Sequence, residues 1–299
     1  MQNTPESPEA PVAAAESVLS CSALTKDFTD LWGRPTVRSL DNLTMDVRRG
    51  EVFGLLGPNG AGKTTTIKLI LGLIFPTSGT VRVLGSDPQD IYTKQKIGYL
   101  PEESYLHRYL NAEETLDFYG RLFDLPGDVR RKRAAELIER VGLTHARKRP
   151  LKEYSKGMVR RVGLAQCLIN DPELVLLDEP TSGMDPIGSR EIKDLILDLK
   201  KQGKTVLLSS HLLGDVEDVC DRVAMLYRGK LQLEGTVNDL LEMGDVTEIS
   251  VKNLAPETLA ALRSEAEKKG ATVLGAHRRR ERLETLFLQV VERERGKGK

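Results

Sequence analysis

The segment Gly57-Pro58-Asn59-Gly60-Ala61-Gly62-Lys63-Thr64-Thr65 has residue types and spacing suited to holding a phosphate chain. Up to Thr64 it fits the pattern G-x-x-x-x-G-K-[ST], and it lies between a predicted strand and a helix predicted over residues 65–73. In such a loop, backbone N–H groups and the helix N-terminus point at phosphate oxygens, and Lys63 adds a cation at the β and γ phosphates. Thr64 would give its hydroxyl to Mg²⁺. A glycine-rich turn that arose by chance would not require Lys63 or Thr64. Because both are present, the segment predicts a nucleoside triphosphate site.

Two adjacent carboxylates, Asp178 and Glu179, end the apolar run Leu174-Val175-Leu176-Leu177. A buried strand over this run would place Asp178 beside Thr64 to hold Mg²⁺, and Glu179 could polarise a water molecule for attack on the γ phosphate. Two carboxylates at the end of a buried strand are costly without a cation, which argues against an ordinary surface strand end. The pair is a weak motif alone and a strong one beside the phosphate loop.

Three further motifs lie in register with these two. Tyr154-Ser155-Lys156-Gly157-Met158 precedes the carboxylate pair, Ser182-Gly183-Met184-Asp185 follows it, and His211 ends a strand-like run. In order and spacing the five motifs resemble those of the ATP-binding cassette (ABC) ATPases over residues 18 to about 244. Five motifs in register are far more specific than any one of them.

The resemblance implies an α/β fold of the P-loop NTPase class, with a mainly parallel core sheet, an antiparallel β subdomain and a helical insertion. It also implies a head-to-tail homodimer in which each ATP lies between the phosphate loop of one subunit and the signature motif of the other. Ser155 and Gly157 would face the γ phosphate across that interface, and Asp185 would organise the opposing site. His211 would contact the γ phosphate and hold the attacking water with Glu179. Taken alone, Ser155 is an ordinary helix N-cap and His211 a structural residue.

Three positions, Glu102, Lys156 and Met158, depart from the family's pattern, and Met158 replaces a Gln of the signature motif. Glu102 stands where the family usually has a Gln that senses Mg²⁺. A carboxylate can also ligate Mg²⁺, so Glu102 joins Thr64 and Asp178 as a candidate metal ligand. Lys156 replaces a Gly of the signature motif, and its cation could either assist γ-phosphate binding or face solvent.

The adenine ring needs an aromatic partner upstream of the phosphate loop. Phe28 matches the family's position best, and Trp32 is the alternative because the segment up to Leu40 carries a few extra residues. Either ring offers a π face for stacking. A third interpretation is an aromatic side chain that simply packs on the core.

The chain around these motifs alternates β-rich runs with helical patterns from residue 18 onward, which is typical of an α/β domain. Mainly helical segments between residues 102 and 163 predict a helical insertion. We therefore predict a disordered tail over residues 1–17 and an ATPase domain over residues 18–244. The predicted buried strands are residues 51–56, 174–177, 205–208 and 223–227, and the predicted insertion helices are residues 111–123 and 128–141.

Residues 245–299 predict a small α+β accessory domain that packs on the main domain or on a partner. Ile249 and Val251 alternate with polar residues as in a strand, Pro256 opens a helix that Gly270 closes, and residues 271–274 offer a second strand. A final amphipathic helix is predicted from a stripe formed by Leu283, Leu286, Phe287, Val290 and Val291.

The composition of the chain limits the kinds of partner that it can be expected to bind. The chain has 299 residues with 44 Lys plus Arg and 44 Asp plus Glu, and a net charge of zero gives no global attraction to nucleic acid or anionic lipid. The longest apolar stretch, residues 67–75, contains Lys68 and Gly72 and is far short of the ~20 residues that span a bilayer. Residues 1–16 lack the features of a secretory signal, and the three scattered cysteines lack metal-site or disulfide spacing. We expect a cytoplasmic protein with reduced cysteines.

ABC ATPases move whatever component is attached to them, so the attachment decides the function. The signature motif, the run Leu100-Pro101-Glu102-Glu103 and the C-terminal extension resemble subunits of drug, polysaccharide or lipid exporters. We predict an ATPase subunit of such an exporter, peripheral on the cytoplasmic face of the membrane and bound to a separate transmembrane permease. The permease would dock on the aromatic and apolar side chains near residues 102–123. The competing explanation for these side chains is that they pack within the helical insertion. The aromatic and apolar side chains concentrated there are Tyr105, Leu106, His107, Tyr109, Phe118 and Tyr119.

The alternatives are a non-transport ABC ATPase that acts on ribosomes or DNA, and a P-loop kinase. A single uninterrupted cassette disfavours the first, and the basic cluster Arg278-Arg279-Arg280 lacks interleaved aromatic residues. The signature motif and His211 disfavour the second. We therefore expect no nucleic-acid partner.

Overall fold

The computed structural model describes residues 16–30, 32, 34–242, 251 and 254–274. Its strands in chain order are β1 (Ser17–Thr29), β2 (Pro35–Arg48), β3 (Val52–Leu56), β4 (Ser78–Val83), β5 (Ile97–Leu100), β6 (Leu174–Asp178), β7 (Thr205–Ser210), β8 (Arg222–Tyr227) and β9 (Lys230–Thr236). Its α-helices are α1 (Lys63–Ile70), α2 (Ile91–Gln95), α3 (Ala112–Leu122), α4 (Gly127–Arg140), α5 (Lys156–Cys167), α6 (Pro186–Lys201), α7 (Leu213–Val219), α8 (Val237–Leu241) and α9 (Pro256–Lys268). None of these described helices is both long and apolar enough to cross a membrane.

A six-stranded sheet in the order β5-β6-β7-β3-β8-β9 forms the core. All neighbouring strands in it are parallel except the antiparallel pair β8 and β9. Every residue of β3, β6 and β7 is buried, because their continuous apolar runs are covered on both faces. The predicted α/β class with a mainly parallel core sheet is confirmed.

A second sheet, in the order β2-β1-β4, is antiparallel throughout. Its buried side chains, among them Leu19 and Leu43, join Phe53 and Leu55 of β3 and Ile67 of α1 in one hydrophobic cluster. This sheet and α1 therefore cover one face of the core sheet. The antiparallel β subdomain that the family resemblance implies is confirmed.

Side chains on the other face of the core sheet form a second hydrophobic cluster with side chains of α3, α4, α5 and α6. Helix α3 begins at Asn111, whose side chain accepts from the N–H of Glu114 (2.9 Å), while the Glu114 side chain accepts from the N–H of Asn111 (2.9 Å). This capping box fixes the helix start within one residue of the predicted one. In α4 the residues Ala134, Leu137 and Ile138 are buried, as the helical period predicts.

The chain divides into two compact units, residues 1–240 and 241–299. In the second unit α9 begins with Pro256 and ends before Gly270, which has φ +86°, so the predicted helix is confirmed. The strand predicted over residues 271–274 is wrong, since these residues form no strand and are largely exposed. Ile249, the final amphipathic helix and residues 1–15 lie outside the described residues, and the accessory domain stays a prediction.

Candidate active site

The candidate site lies where three neighbouring parallel strands end. Register pairs Leu56 of β3 with Ser210 of β7, and Asp178 of β6 with Ser209 of β7. The residues just beyond these strand ends, above all the phosphate loop and Glu179, therefore meet at one edge of the sheet. The carboxyl edge of a parallel sheet is the usual place for a ligand in α/β proteins.

The phosphate loop has a backbone that other residue types could not adopt. Gly60 and Gly62 have φ values of +79° and +107°, in the left-handed region that favours glycine. A Cβ on Gly57 would collide with the carbonyl oxygen of Leu226 in β8. The loop leads directly into α1, which begins at Lys63 and ends at Ile70, whereas the sequence pattern predicts a helix over residues 65–73.

Lys63 folds back over this loop and is buried. Its Nζ donates to the carbonyl oxygen of Gly57 (2.7 Å) and to that of Pro58 (3.4 Å). The same Nζ lies 3.2 Å from Glu179 Oε1, and both side chains are no more than 7% exposed. A buried carboxylate of this kind is tolerable because a cation and hydrogen bonds compensate for its lost hydration.

Glu179 lies between Lys63 and His211. Its Oε2 is 2.8 Å from Nδ1 of His211, whose side chain is 41% exposed. The backbone of Glu179 has φ +48°, an uncommon value for a non-glycine residue. Strained residues of this kind cluster at functional sites. Here the strained residue is Glu179, the proposed general base, and its carboxylate lies between the imidazole of His211 and the ammonium group of Lys63.

Asp178 connects α1 to β7. Thr64 Oγ1 donates to its Oδ1 (3.3 Å), and Ser209 Oγ donates to the same atom (2.5 Å) and accepts from the N–H of Glu179 (3.0 Å). Burial, and then the charge of Asp178, raise the pKa of Tyr99 to about 12. Sequence reasoning missed Ser209, for which the only signal is a hydroxyl residue inside a buried strand.

The oxygens of Thr64 and Asp178 fit Mg²⁺. Among the described residues no group of three or more His, Cys, Asp or Glu side chains converges as a metal site. Mg²⁺ needs no such group, since it is commonly held by one or two carboxylates together with substrate phosphates and water. Glu179 Oε1, at the same edge of the sheet, is buried and accepts no hydrogen bond, and its ion-pair partner among the described residues is Lys63. When bound, the ion neutralises charge on phosphate oxygens.

Glu102 follows β5 and has an exposed side chain. Within the described residues no hydrogen bond joins its carboxylate to Thr64 or Asp178, while its backbone carbonyl accepts from Arg160 Nη1 (2.8 Å). Its role as a metal ligand stays a prediction.

The two candidate adenine partners differ in their support. Phe28 lies on β1 opposite Val37, is 40% exposed, and has Lys26 Nζ 5.3 Å from its ring centroid. Trp32 lies beyond the end of β1 and is 83% exposed. Neither ring is part of the core, and each is exposed enough to meet a ligand, although Lys26 lies over the Phe28 ring.

Ser155 and Asp185 cap helices. Ser155 Oγ accepts from the N–H of Met158 (3.3 Å) at the start of α5, and Asp185 Oδ1 accepts from the N–H of Gly188 (2.7 Å) at the start of α6. The two motifs also touch, because a Cβ on Gly183 would lie 2.5 Å from Lys156 Nζ. In the described part of the chain, no hydrogen bond joins either motif to the phosphate loop of the same molecule.

Fold and site together define a P-loop ATPase cassette. Comparison with known proteins narrows this class. A family model described as "ABC transporter" matches residues 40–182. An ABC transporter ATP-binding protein of Synechocystis sp. is 45% identical over 83% of this chain and 73% of its own length. The linearmycin resistance ATP-binding protein LnrL of Bacillus subtilis is 38% identical over 81% and 79%, respectively.

A relative named Nod factor export ATP-binding protein I, from Ralstonia nicotianae, is 36% identical over 90% of this chain and 84% of its own length. Among solved structures, a dimeric ATP-binding cassette in a post-hydrolysis state with ADP and Pi is 26% identical, with a TM-score of 0.67 over 73% of this chain and 98% of that chain. The chain belongs to the ABC transporter ATP-binding proteins. It is an ATPase whose ligands are ATP and Mg²⁺.

Proposed function

We propose that this chain is the ATP-hydrolysing subunit of an exporter-type ABC transporter, which drives export through a separate transmembrane permease. The observation that carries the proposal is the cluster of Lys63, Glu179 and His211 at the carboxyl edge of the core sheet. It combines a cation for phosphate, a base and an imidazole in one site. The names of the relatives linked to linearmycin resistance and Nod factor export support the exporter class.

In this proposal each residue of the site has a separate role in hydrolysis. Lys63 binds the β and γ phosphates, and Thr64 and Asp178 hold Mg²⁺. Glu179 accepts a proton from the attacking water as the water oxygen bonds to the γ phosphorus and the bond to the β-phosphate oxygen breaks. His211 orients that water and the γ phosphate. The products are ADP and inorganic phosphate.

Closure of a homodimer completes the proposed site. Ser155 and Gly157 would approach the γ phosphate of the partner subunit, and Asp185 would support the opposing site. The absence of hydrogen bonds from either motif to its own phosphate loop, among the described residues, supports a role across an interface. ATP would then hold two subunits together, and hydrolysis would release them.

A patch of exposed aromatic residues supports the proposed docking of the permease. Tyr105 and Tyr109 are 85% and 75% exposed, and Phe118 is half exposed. Leu106 and Tyr119 instead pack on the core, so for these two the competing explanation holds. We place the protein on the cytoplasmic face of the membrane, where a cytoplasmic segment of the permease would cover this patch.

The test is co-expression with a membrane protein encoded beside this gene. The ATPase should purify with that protein from detergent, and Tyr105→Glu with Tyr109→Glu should weaken the complex. Tyr227→Glu is the matched control, because Tyr227 is half exposed on β8, away from the insertion. Failure to find any membrane partner, together with co-sedimentation on ribosomes, would replace the transporter proposal with the non-transport alternative.

The Glu102→Gln variant tests the proposed third metal ligand. A neutral amide is a weaker ligand for a hard cation than a carboxylate, so half-maximal turnover should need several-fold more Mg²⁺. Turnover is measured by phosphate release over a Mg²⁺ titration. Glu103→Gln is the control. Glu103 is the neighbouring residue in the chain, and its carboxylate accepts a hydrogen bond from the Tyr105 hydroxyl (2.6 Å), so the substitution removes the same charge at a side chain with a different partner. Identical Mg²⁺ curves for Glu102→Gln and the wild type would place Glu102 away from the metal.

The Phe28→Ala variant tests the proposed adenine partner. Loss of base–aromatic stacking costs ~1–3 kcal/mol, which corresponds to roughly 5–150-fold weaker ATP binding. Calorimetric titration with ATP in a Glu179→Gln background, in which hydrolysis is expected to be slow, gives the dissociation constant directly. Trp32→Ala is measured in parallel. If only Trp32→Ala weakens binding, the role passes to Trp32.

A further inference from the structure

Arg160 lies on α5 in the turn after the signature motif and is 6% exposed. Its guanidinium group donates five hydrogen bonds, and every acceptor is a backbone carbonyl. These carbonyls belong to two segments, the end of β5 and the end of β6. The acceptors are the carbonyl oxygens of Pro101, Glu102 (2.8 Å), Asp178 (2.6 Å), Glu179 (2.9 Å) and Pro180 (3.2 Å).

Arg160 combines a buried charge with a planar guanidinium group. Burial lowers the pKa of Arg160, and the nearby charges of Asp178 and Glu102 oppose that shift. A buried cation is costly to desolvate, and here backbone dipoles compensate for it. The planar fork of a guanidinium can reach two segments at once, which the single ammonium group of lysine cannot do.

One of the bonded carbonyls belongs to the strained residue of the site. Glu179 has φ +48°, and strain of this kind persists only where the surroundings over-determine it. Its N–H is held by Ser209 Oγ (3.0 Å), and its carbonyl accepts from both Arg160 Nη2 (2.9 Å) and the N–H of Ser182 (3.1 Å). Without the Arg160 contact, the carbonyl of Glu179 would keep only the hydrogen bond from Ser182, and the strained backbone that directs the carboxylate would be less constrained.

We infer that Arg160 is a positioning residue for ATP hydrolysis, which fixes the carboxylate of Glu179 and ties it to the segment of Glu102. The inference rests on the proposed role of Glu179 as the general base. It gives the signature helix α5 a second task within its own subunit: through Arg160, a displacement of the helical insertion shifts the backbone of the base.

The test compares Arg160→Lys and Arg160→Gln with the full-length wild type. A small misplacement of a catalytic group costs up to about 10²-fold in rate, so we expect kcat to fall at least about tenfold. The KM for ATP and the calorimetric ATP affinity should change less than about threefold, because Arg160 does not touch the phosphate loop. Arg133→Lys is the matched control, since Arg133 on α4 also donates to a backbone carbonyl, that of Leu168 (3.0 Å), away from the site.

A double-mutant cycle separates positioning from a merely structural role. If Arg160 acts through Glu179, then Arg160→Lys should cause no further loss of the residual single-turnover rate in a Glu179→Gln background. Additive losses, or a parallel loss of ATP affinity, would overturn the inference. A thermal melt identifies any unfolded variant, and Arg160→Gln then replaces Arg160→Lys in the cycle.

Two outcomes distinguish this inference from the proposal on which it rests. A wild-type rate for Glu179→Gln would remove the general base itself. An inactive Glu179→Gln protein combined with a wild-type kcat for folded Arg160 variants would remove only the role of Arg160.

Discussion

Replacing Glu179 with Gln is expected to preserve ATP binding and to lower steady-state turnover roughly 10²–10⁴-fold, the usual contribution of a general base. Gln has nearly the same shape, so its amide oxygen can still accept from Lys63 Nζ, which lies 3.2 Å from the present carboxylate. It cannot take the proton of the attacking water. Phosphate release measures turnover, and size-exclusion chromatography with ATP should show an accumulating dimer.

Glu173→Gln is the control for this variant. Glu173 immediately precedes β6, so it lies at the opposite end of that strand from Glu179, and forms exposed ion pairs with Lys96 (3.1 Å) and Arg49 (3.1 Å). Exposed ion pairs contribute little, so this variant should hydrolyse ATP at the wild-type rate. If Glu179→Gln does so as well, Glu179 is not the base.

Replacing Lys63 with Ala should weaken ATP binding at least about 30-fold, because truncating one partner of a desolvated charge pair costs at least ~2 kcal/mol. Lys63 is 6% exposed, and its ammonium group is the cation that the phosphate loop carries. The variant also leaves Glu179 without its ion pair, so a thermal melt must accompany the calorimetric titration.

Lys68→Ala provides the comparison for Lys63→Ala. Lys68 lies on the same helix, α1, with an exposed side chain. Its removal takes away one positive charge near the site without changing the loop, and ATP affinity should stay within about twofold of the wild type. An unchanged dissociation constant for a folded Lys63→Ala protein would contradict the assignment of the phosphate loop.

Much of this site is predictable from sequence because its main parts are contiguous. The phosphate loop and the pair Asp178 and Glu179 each follow a short apolar strand, and neighbouring parallel strands end at the same edge. Helix starts such as Asn111 and Pro256 are equally local, since a cap depends on residues three or four positions apart.

Contacts between distant single residues could not be predicted in this way. Ser209 and Arg160 belong to no pattern that specifies a partner, and only the folded sheet brings them to the backbone of Glu179. The erroneous strand over residues 271–274 has a related cause. A short apolar run does not specify a neighbouring strand, and strand formation depends on that neighbour.

The contact of Asp178 with Thr64 spans 114 residues, and its contact with Ser209 spans 31. Parallel pairing over such separations requires long loops to close first, and loop closure slows folding. The nucleotide site therefore forms only once β3, β6 and β7 are paired, so no fragment of the chain that lacks one of them can bind ATP in this manner. A ligand that binds only the folded chain stabilises it, by ~2.7 kcal/mol at a hundredfold excess over its dissociation constant. Bound ATP therefore stabilises the folded chain, in addition to being the substrate that the protein hydrolyses.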